Sequence, residues 1–436
     1  MSSSTPTEAP SKQWPSIPNT FSKRLGPFTP KVQIGAWKRC KASLNFWGKA
    51  PRYPPKSIHK ENELIQDALE HLKALVAFDT RNPPREITTE GIFSYIREHL
   101  TDDFEVETVD LGDGCIYLHA HRGTPKLLIN VHLDTVPVAD GWETDPHKLT
   151  IKENRAYGLG AADIKGAAAL LLQVIHETQG DIGLLFSSDE EAGQSTCIRQ
   201  FTQRKSDLPY EKVMVCEPSE CKATIAHRGI ATSRGYFSGT AGHASEARAL
   251  KDSAVHQAAL WATQALSWAE QRQKPSVQEL KGLPFNIGKF TGGQKANMIA
   301  DTCEVHFGFR PLPGQDADAL LEELWACAAD PNRARFEKGF MAPPCPAPVI
   351  GDPAATQQRY DNNKALAEAL DIPVGPAVSF WTEASLFSEV DYPVLVFGPG
   401  AIAQAHTANE WVSLAHLEDA YHTFKRVIQN TPLKED

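Results

Sequence analysis

The chain has 436 residues, of which 41% are hydrophobic and 22% charged, and its 54 acidic and 44 basic side chains give a formal net charge of −10. This composition is typical of a folded, mildly acidic protein of about two domains, and the lack of any run of about 18 apolar residues predicts no membrane span. Eight scattered cysteines without a C-x-x-C motif predict free thiols and a cytoplasmic location.

The first 60 residues differ in charge from the rest of the chain. They contain eleven Lys or Arg, a single acid (Glu8) and nine of the 31 prolines. Without a hydrophobic period, this composition predicts a basic, Pro/Ser-rich flexible tail over residues 1–60. A targeting sequence and a contact with an acidic partner are the alternatives. The remaining residues carry a net charge of −20, which argues against nucleic-acid binding by the folded part.

Residues 61–225 and 339–436 are predicted to form one α/β domain. An apolar stripe at helical spacing predicts a helix over 62–78, and a similar pattern covers 164–178. Short apolar runs that predict strands lie at 126–133, 182–186, 212–216 and 394–397. Strands that alternate with helices predict a largely parallel central sheet flanked by helices.

Residues 226–338 interrupt this pattern. Gly-punctuated segments with strand character lie at 235–239, 285–290 and 303–309, and helical stretches lie at 252–270 and 316–328. We therefore predict an inserted α+β domain between the two parts of the larger domain.

Polar side chains follow the ends of the predicted strands, where open α/β sheets bind their ligands. His132 and Asp134 lie two residues apart after the run at 126–133, and in an extended chain they point the same way. Asp134 can therefore accept the second N–H of a metal-bound His132. For this pair alone, a histidine that is satisfied at a strand end is the alternative.

The segment Gly158–Gly166 has the glycine spacing of a dinucleotide-binding loop, but Asp163 occupies the place of its last glycine. A carboxylate there would repel a pyrophosphate, so we reject a nucleotide site. On a Gly-rich turn, Asp163 can instead give each of its two oxygens to a different cation.

Three consecutive acids, Asp189, Glu190 and Glu191, follow the predicted strand at 182–186. Such a cluster after a buried strand is costly unless positive charge lies among the carboxylates. Adjacent Glu190 and Glu191 cannot face the same way, so we expect one to bind metal and the other to transfer protons.

The candidate ligands recur at intervals of about one βα unit. Intervals of 31, 28 and 26 residues separate the first four, and the last follows the final strand; they are His132, Asp163, Glu191, Glu217 and His406. Carboxylate and imidazole ligands without a thiolate favour zinc, cobalt or manganese. Five ligands, of which one can bridge, suit two divalent cations about 3.5–4 Å apart better than one tetrahedral ion. Surface acids placed by chance are the alternative.

Several motifs occur in an order that resembles the M20 metallopeptidase family, and within it the acetylornithine deacetylase branch. The resemblance runs from about residue 62 to 430, and its motifs are His132–Pro137, Gly158–Gly166, Ser188–Gly193, Glu217–Ser219, Gly242–Ser245, Asn297 with Arg310–Gly314, Thr382–Ala384 and Phe397–His406.

The resemblance implies two bound divalent metal ions, Zn²⁺ or Co²⁺. One ion would be held by His132, Asp163 and Glu217. The other would be held by Asp163, Glu191 and His406, so that Asp163 bridges the two.

It also implies the residues that carry the chemistry. Glu190 would be the general base that takes a proton from the attacking water and passes it to the leaving amine. Asp134 would complete the catalytic set behind His132. The resemblance makes the insertion a lid and dimerisation domain, so His243 would reach the active site of the partner subunit in a homodimer and stabilise the tetrahedral oxyanion.

Substrate contacts are implied as well. Arg310 and Asn297 match positions that bind the substrate's α-carboxylate, which suits a planar guanidinium. A structural ion pair is the alternative for Arg310. Thr382 and Glu383 are the further substrate-binding candidates. The sequence Gly308-Phe309-Arg310 also resembles the group that acts on N-acetylcitrulline.

These features predict a metal-dependent amidohydrolase that acts on a small N-acetyl amino acid. We place N2-acetyl-L-ornithine first, in arginine biosynthesis, and N-acetyl-L-citrulline as the alternative. An aminoacylase or M20 dipeptidase is the next possibility. A catalytically silent relative that binds amino acids is the alternative from a different class.

Overall fold

The structure is a computed structural model that describes residues 63–191, 193 and 195–430. The predicted tail at 1–60 therefore lies outside the described residues. Within the described ranges, no helix is both long enough and apolar enough to cross a bilayer.

Helices and strands alternate along most of the chain. The helices are α1 Gln66–Ala77, α2 Ile92–Glu98, α3 Gly166–Glu177, α4 Thr196–Thr202, α5 Ala249–Asp252, α6 Ala254–Gln271, α7 Ala317–Trp325, α8 Pro353–Ala369, α9 Ala384–Glu389 and α10 Leu414–Gln429. The strands are β1 Glu105–Asp110, β2 Ile116–Arg122, β3 Leu127–His132, β4 Thr150–Lys152, β5 Arg155–Tyr157, β6 Ile182–Ser187, β7 Lys212–Val215, β8 Ile230–Ser238, β9 Gly242–His243, β10 Ser276–Val277, β11 Leu280–Lys281, β12 Phe285–Gly292, β13 Met298–Ile299, β14 Thr302–Phe309, β15 Ala334–Ala342, β16 Val394–Val396 and β17 Trp411–Ser413.

The larger sheet has six strands in the order β1-β2-β6-β3-β7-β16. Strands β6, β3, β7 and β16 pair in parallel, whereas β1 and β2 add an antiparallel edge. This confirms the predicted α/β class with a largely parallel central sheet. Because parallel strands end at the same edge, the residues that follow β3, β6 and β7 meet there.

Helices cover both faces of this sheet. Helix α3 lies on one face and packs against α1 and α10, and ten of its twelve residues are buried. Helices α4 and α9 contribute to the core on the other face, where Ile198 and Phe387 share a cluster with Leu128 and Leu185. Coverage on both faces explains why these strands read as continuous apolar runs.

The second sheet is antiparallel, with four strands in the order β12-β14-β8-β15. Side chains alternate along β14, so that every second one is buried. Trp261 of α6 and Leu321 of α7 belong to the core that covers this buried face. The sheet extends to Ala342, so the predicted boundary at residue 338 falls inside β15.

Candidate metal centre and substrate cleft

Two groups of potential metal ligands lie at the carboxyl edge of the larger sheet. The first contains His132, Asp163 and Glu217, whose ligand atoms all lie within 4.8 Å of one another. The Nε2 atom of His132 lies 3.2 Å from Asp163 Oδ1 and 3.8 Å from Glu217 Oε1. All three side chains are buried, as expected for ligands at the ends of strands covered on both faces.

The second group contains Asp163, Glu191 and His406. The Nε2 atom of His406 lies 3.0 Å from Glu191 Oε1 and 3.4 Å from Asp163 Oδ2. Asp163 thus offers one oxygen to each group. This is the arrangement that a carboxylate bridging two cations requires.

The electrostatics of these residues fit divalent cations. Burial, together with the charge of Asp163, raises the pKa of Glu217, and burial also raises the pKa of Glu191. Hydrogen bonds that the His406 ring donates to the Asp163 and Glu191 carboxylates raise the pKa of His406 to about 10. Burial would lower the pKa of His132, but its hydrogen bonds to Asp134 and Asp163 raise it well above the usual range. These buried carboxylates therefore need nearby positive charge to remain ionised, and two divalent cations would supply it.

Asp134 fixes the loop that carries the acids after β6. Its Oδ2 accepts the backbone N–H of Glu191 at 2.9 Å and the side-chain amide of Asn82 at 3.0 Å. Its Oδ1 lies 3.3 Å from the backbone nitrogen of Glu190 and 3.5 Å from Nδ1 of His132. Nδ1 of His132 lies closer to the backbone carbonyl of Asp134, at 3.1 Å, than to its carboxylate. Asp134 thus lies behind His132 and also contacts the neighbouring loop.

The three consecutive acids have different surroundings. Asp189 is fully buried and accepts the backbone N–H groups of Thr196 and Cys197 at the start of α4. Glu191 faces His406. No hydrogen bond within the described chain holds the Glu190 carboxylate, and burial beside Glu191 raises its pKa. A carboxylate whose pKa is raised suits a group that accepts and returns a proton.

His243 and Asn297 lie together but away from this cluster. His243 pairs with Met298 across β9 and β13, and the carbonyl of Asn297 accepts the N–H of Ala244. The His243 ring is exposed, with Nδ1 2.7 Å from Ser245 Oγ. His243 follows the far end of β8, about 25 Å along the strand from its start at Ile230, and Asn297 directly precedes β13, which pairs with β9. The chain does not bring them to its own metal cluster through any hydrogen bond among the described residues.

Arg310 lies at the opposite end of the small sheet from Asn297, in a cleft of about 590 Å³. Its guanidinium has no hydrogen-bond or ion-pair partner in the described parts of the chain, and burial lowers its pKa. The structural ion pair, which was the alternative for Arg310, is not found among the described residues. Phe340 lines the same cleft and packs against Trp381, with the two ring centroids 5.3 Å apart. Its ring would lie 3.8 Å from a Cβ atom added at Gly193. The cleft thus adjoins the loop that carries Glu190.

Thr382 and Glu383 lie inside the protein. The hydroxyl of Thr382 is 3.0 Å from Nε2 of the buried His227. Glu383 accepts a hydrogen bond from Ser187 at 3.3 Å, and burial beside Asp189 raises its pKa to about 8. Both side chains are therefore buried and have partners within the chain.

Glu410 is a further residue beside the site, and the sequence did not predict it. Glu410 is buried, and its carboxylate binds the backbone of the loop that carries Asp163. Its only signal in the sequence is an acid four residues after His406.

The family profile "Peptidase family M20/M25/M40" matches residues 128–430. The chain is 50% identical to an N-acetyl-L-citrulline deacetylase from Xanthomonas campestris pv. campestris, over 85% of this chain and 99% of the relative. It is 30% identical to an acetylornithine deacetylase from Proteus mirabilis, over 72% and 81% of the two chains. In fold, it resembles the aminopeptidase PepT from Bacillus cereus, with a TM-score of 0.63 and 18% identity, over 84% of this chain and 98% of that chain.

Proposed function

Because the chain belongs to peptidase family M20/M25/M40, we propose that it is a two-metal hydrolase that removes the acetyl group from N-acetyl-L-citrulline. The observation that carries this proposal is Asp163, whose two oxygens face two separate ligand groups. N2-acetyl-L-ornithine, the substrate expected first from the sequence motifs, becomes the second candidate.

The roles of the residues follow from their positions. Two divalent cations, Zn²⁺ or Co²⁺, would polarise the acetyl carbonyl and lower the pKa of the attacking water. Glu190 takes a proton from that water and passes it to the leaving amine. Arg310 binds the substrate carboxylate, because its guanidinium has no partner within the described chain. His243 of a second copy donates to the carbonyl oxygen as charge develops on it.

Two observations favour citrulline over ornithine. The first is the higher identity to the citrulline enzyme, over nearly all of its length. The second is the charge of the cleft, which is lined by Arg234, His306 and Arg310 but by no described acid. The nearby Glu304 already pairs with Lys289 and His306. A cationic ornithine side chain would be repelled there, whereas the neutral ureido group of citrulline would not.

A side-by-side assay tests this choice. We expect the zinc- or cobalt-loaded enzyme to give its highest kcat/KM with N-acetylcitrulline, at least about tenfold above N-acetylornithine, since one like-charge contact costs on the order of 1.4 kcal/mol or more. N-acetylmethionine and N-succinyl-diaminopimelate should be poorer substrates. Replacing the exposed Arg234 by Gln should lower the ratio of kcat/KM for N-acetylcitrulline to kcat/KM for N-acetylornithine. A higher kcat/KM for N-acetylornithine would overturn the choice, and the absence of hydrolysis with all four would favour the silent binding relative.

The proposal extends to the setting of the enzyme. We place it in the cytoplasm, in arginine biosynthesis, as a homodimer. Seven described cysteines have free thiols, which supports a reducing compartment. The separation of His243 from the metal cluster of its own chain supports a second subunit. Gel filtration with light scattering tests the dimer, and a monomeric active enzyme would contradict it.

A further inference from the structure

The side chain of Glu410 is only 2% exposed, yet it forms no ion pair within the described chain. Its carboxylate instead accepts three backbone N–H groups from one loop. We infer that Glu410 is a positioning residue. It holds Asp163 where each of its two carboxylate oxygens faces one of the two ligand groups. This inference rests on the proposed two-metal hydrolase.

The contacts use both oxygens of the carboxylate. Oε2 accepts the N–H of Gly160 at 2.9 Å, and Oε1 accepts those of Ala162 and Asp163 at 2.9 and 3.1 Å. The backbone carbonyl of Glu410 accepts the N–H of Gly158 at 3.1 Å. One residue thus binds the loop at four points across six positions.

The loop needs such support because its backbone is irregular. Gly160 has a left-handed φ of 77°, and a Cβ there would lie 2.6 Å from the side chain of Thr135. Asp163 and Ile164 depart from helical geometry, with ψ values of 83° and 27°. A backbone without a regular hydrogen-bond ladder must satisfy its N–H groups elsewhere, and Glu410 supplies the acceptors.

Position matters more for Asp163 than for the other ligands. Its Oδ1 faces His132 and its Oδ2 faces His406, so a small rotation removes it from one group. Glu410 follows His406 by four residues, so one short segment supplies a ligand of the second group and also anchors the bridging residue. Loss of the anchor should therefore weaken metal binding while leaving the cleft around Arg310 intact.

The decisive variant is Glu410→Gln, because an amide nitrogen cannot accept an N–H and would face a donor. Of the two Co²⁺ ions per chain, we expect the affinity for the more weakly bound one to fall about 10- to 100-fold, as for other residues that orient metal ligands. The visible absorption of bound Co²⁺ should change, because the geometry of its ligands changes. kcat should fall while KM for the acetylated substrate stays within about twofold, because the residues that bind substrate are untouched. Glu410→Asp keeps both oxygens and should recover part of the affinity.

The experiment titrates metal-free protein with Co²⁺ by calorimetry and absorption. Glu177→Gln is the matched control, because Glu177 is also a hydrogen-bonded carboxylate but pairs with Tyr421 and Lys425, away from the site. If the unaltered protein binds fewer than two Co²⁺, the proposed function fails. If it binds two and Glu410→Gln binds two with unchanged affinity and spectrum, only the role of Glu410 fails. If Glu410→Gln and Glu410→Asp both lose the native circular dichroism spectrum, Glu410 supports the fold rather than the site, which also overturns the inference.

Discussion

At the scale of single residues, Glu190 is the group whose role can be separated from metal binding. It lies outside both ligand groups, and the described chain gives its carboxylate no hydrogen bond. Glu190→Gln keeps the size of the side chain but removes its ability to accept a proton. We expect kcat to fall by about 10²- to 10⁴-fold, the usual contribution of a general base. Elemental analysis should still find two metal ions per chain.

The control for this change is Glu153→Gln, at an exposed turn away from the site, which should leave both kcat and metal content unchanged. Near-normal turnover in Glu190→Gln would show that another group takes the proton. Loss of one metal ion would instead make Glu190 a ligand.

At the scale of elements, the position of the Asp163 loop depends on helix α3, because this helix begins three residues after Asp163. Leu170 lies in its middle and is fully buried. Leu170→Ala should lower the free energy of unfolding by about 2–5 kcal/mol, since it leaves a cavity that the packed core cannot fill. Urea unfolding of the chelated protein measures this. Leu250→Ala, at a side chain that is 75% exposed, should change stability by less than about 0.5 kcal/mol. Equal effects would contradict this description of the core.

Elements buried on both faces could be predicted from the sequence, and half-exposed ones could not. The run at 182–186 became β6 because both of its faces are covered, so every residue is apolar or small. Strand β1 has the sequence EVETVD and no buried residue, so it shows no apolar run. Helix α8 buries only three of its seventeen residues and was also missed. The candidate ligands His132, Glu191 and Glu217 could be proposed from the sequence because each lies at or shortly after a strand end. Glu410 instead contacts backbone atoms about 250 positions away, which leave no pattern in the sequence.

At the scale of the whole molecule, the proposed homodimer would divide the active site between two chains, with His243 supplied by the partner. His243 lies in β9, five residues beyond the end of β8 at Ser238, whereas the ligand groups lie at the edge of the larger sheet. In a C2 dimer, each site would then combine Glu190 of one chain with His243 of the partner. Such a site can be rebuilt from two inactive proteins.

We therefore expect two inactive variants, His243→Ala and Glu190→Gln, to recover activity when mixed under conditions that let subunits exchange. Random exchange of equal amounts makes half of the dimers mixed, and each mixed dimer has one intact site, which gives about a quarter of the unaltered activity. A mixture of Glu190→Gln with Glu217→Gln is the control, because both residues belong to the same half of the site and no combination is intact. No recovery in the first mixture, despite exchange shown by mass-tagged subunits, would place His243 outside the reaction or in its own chain's site.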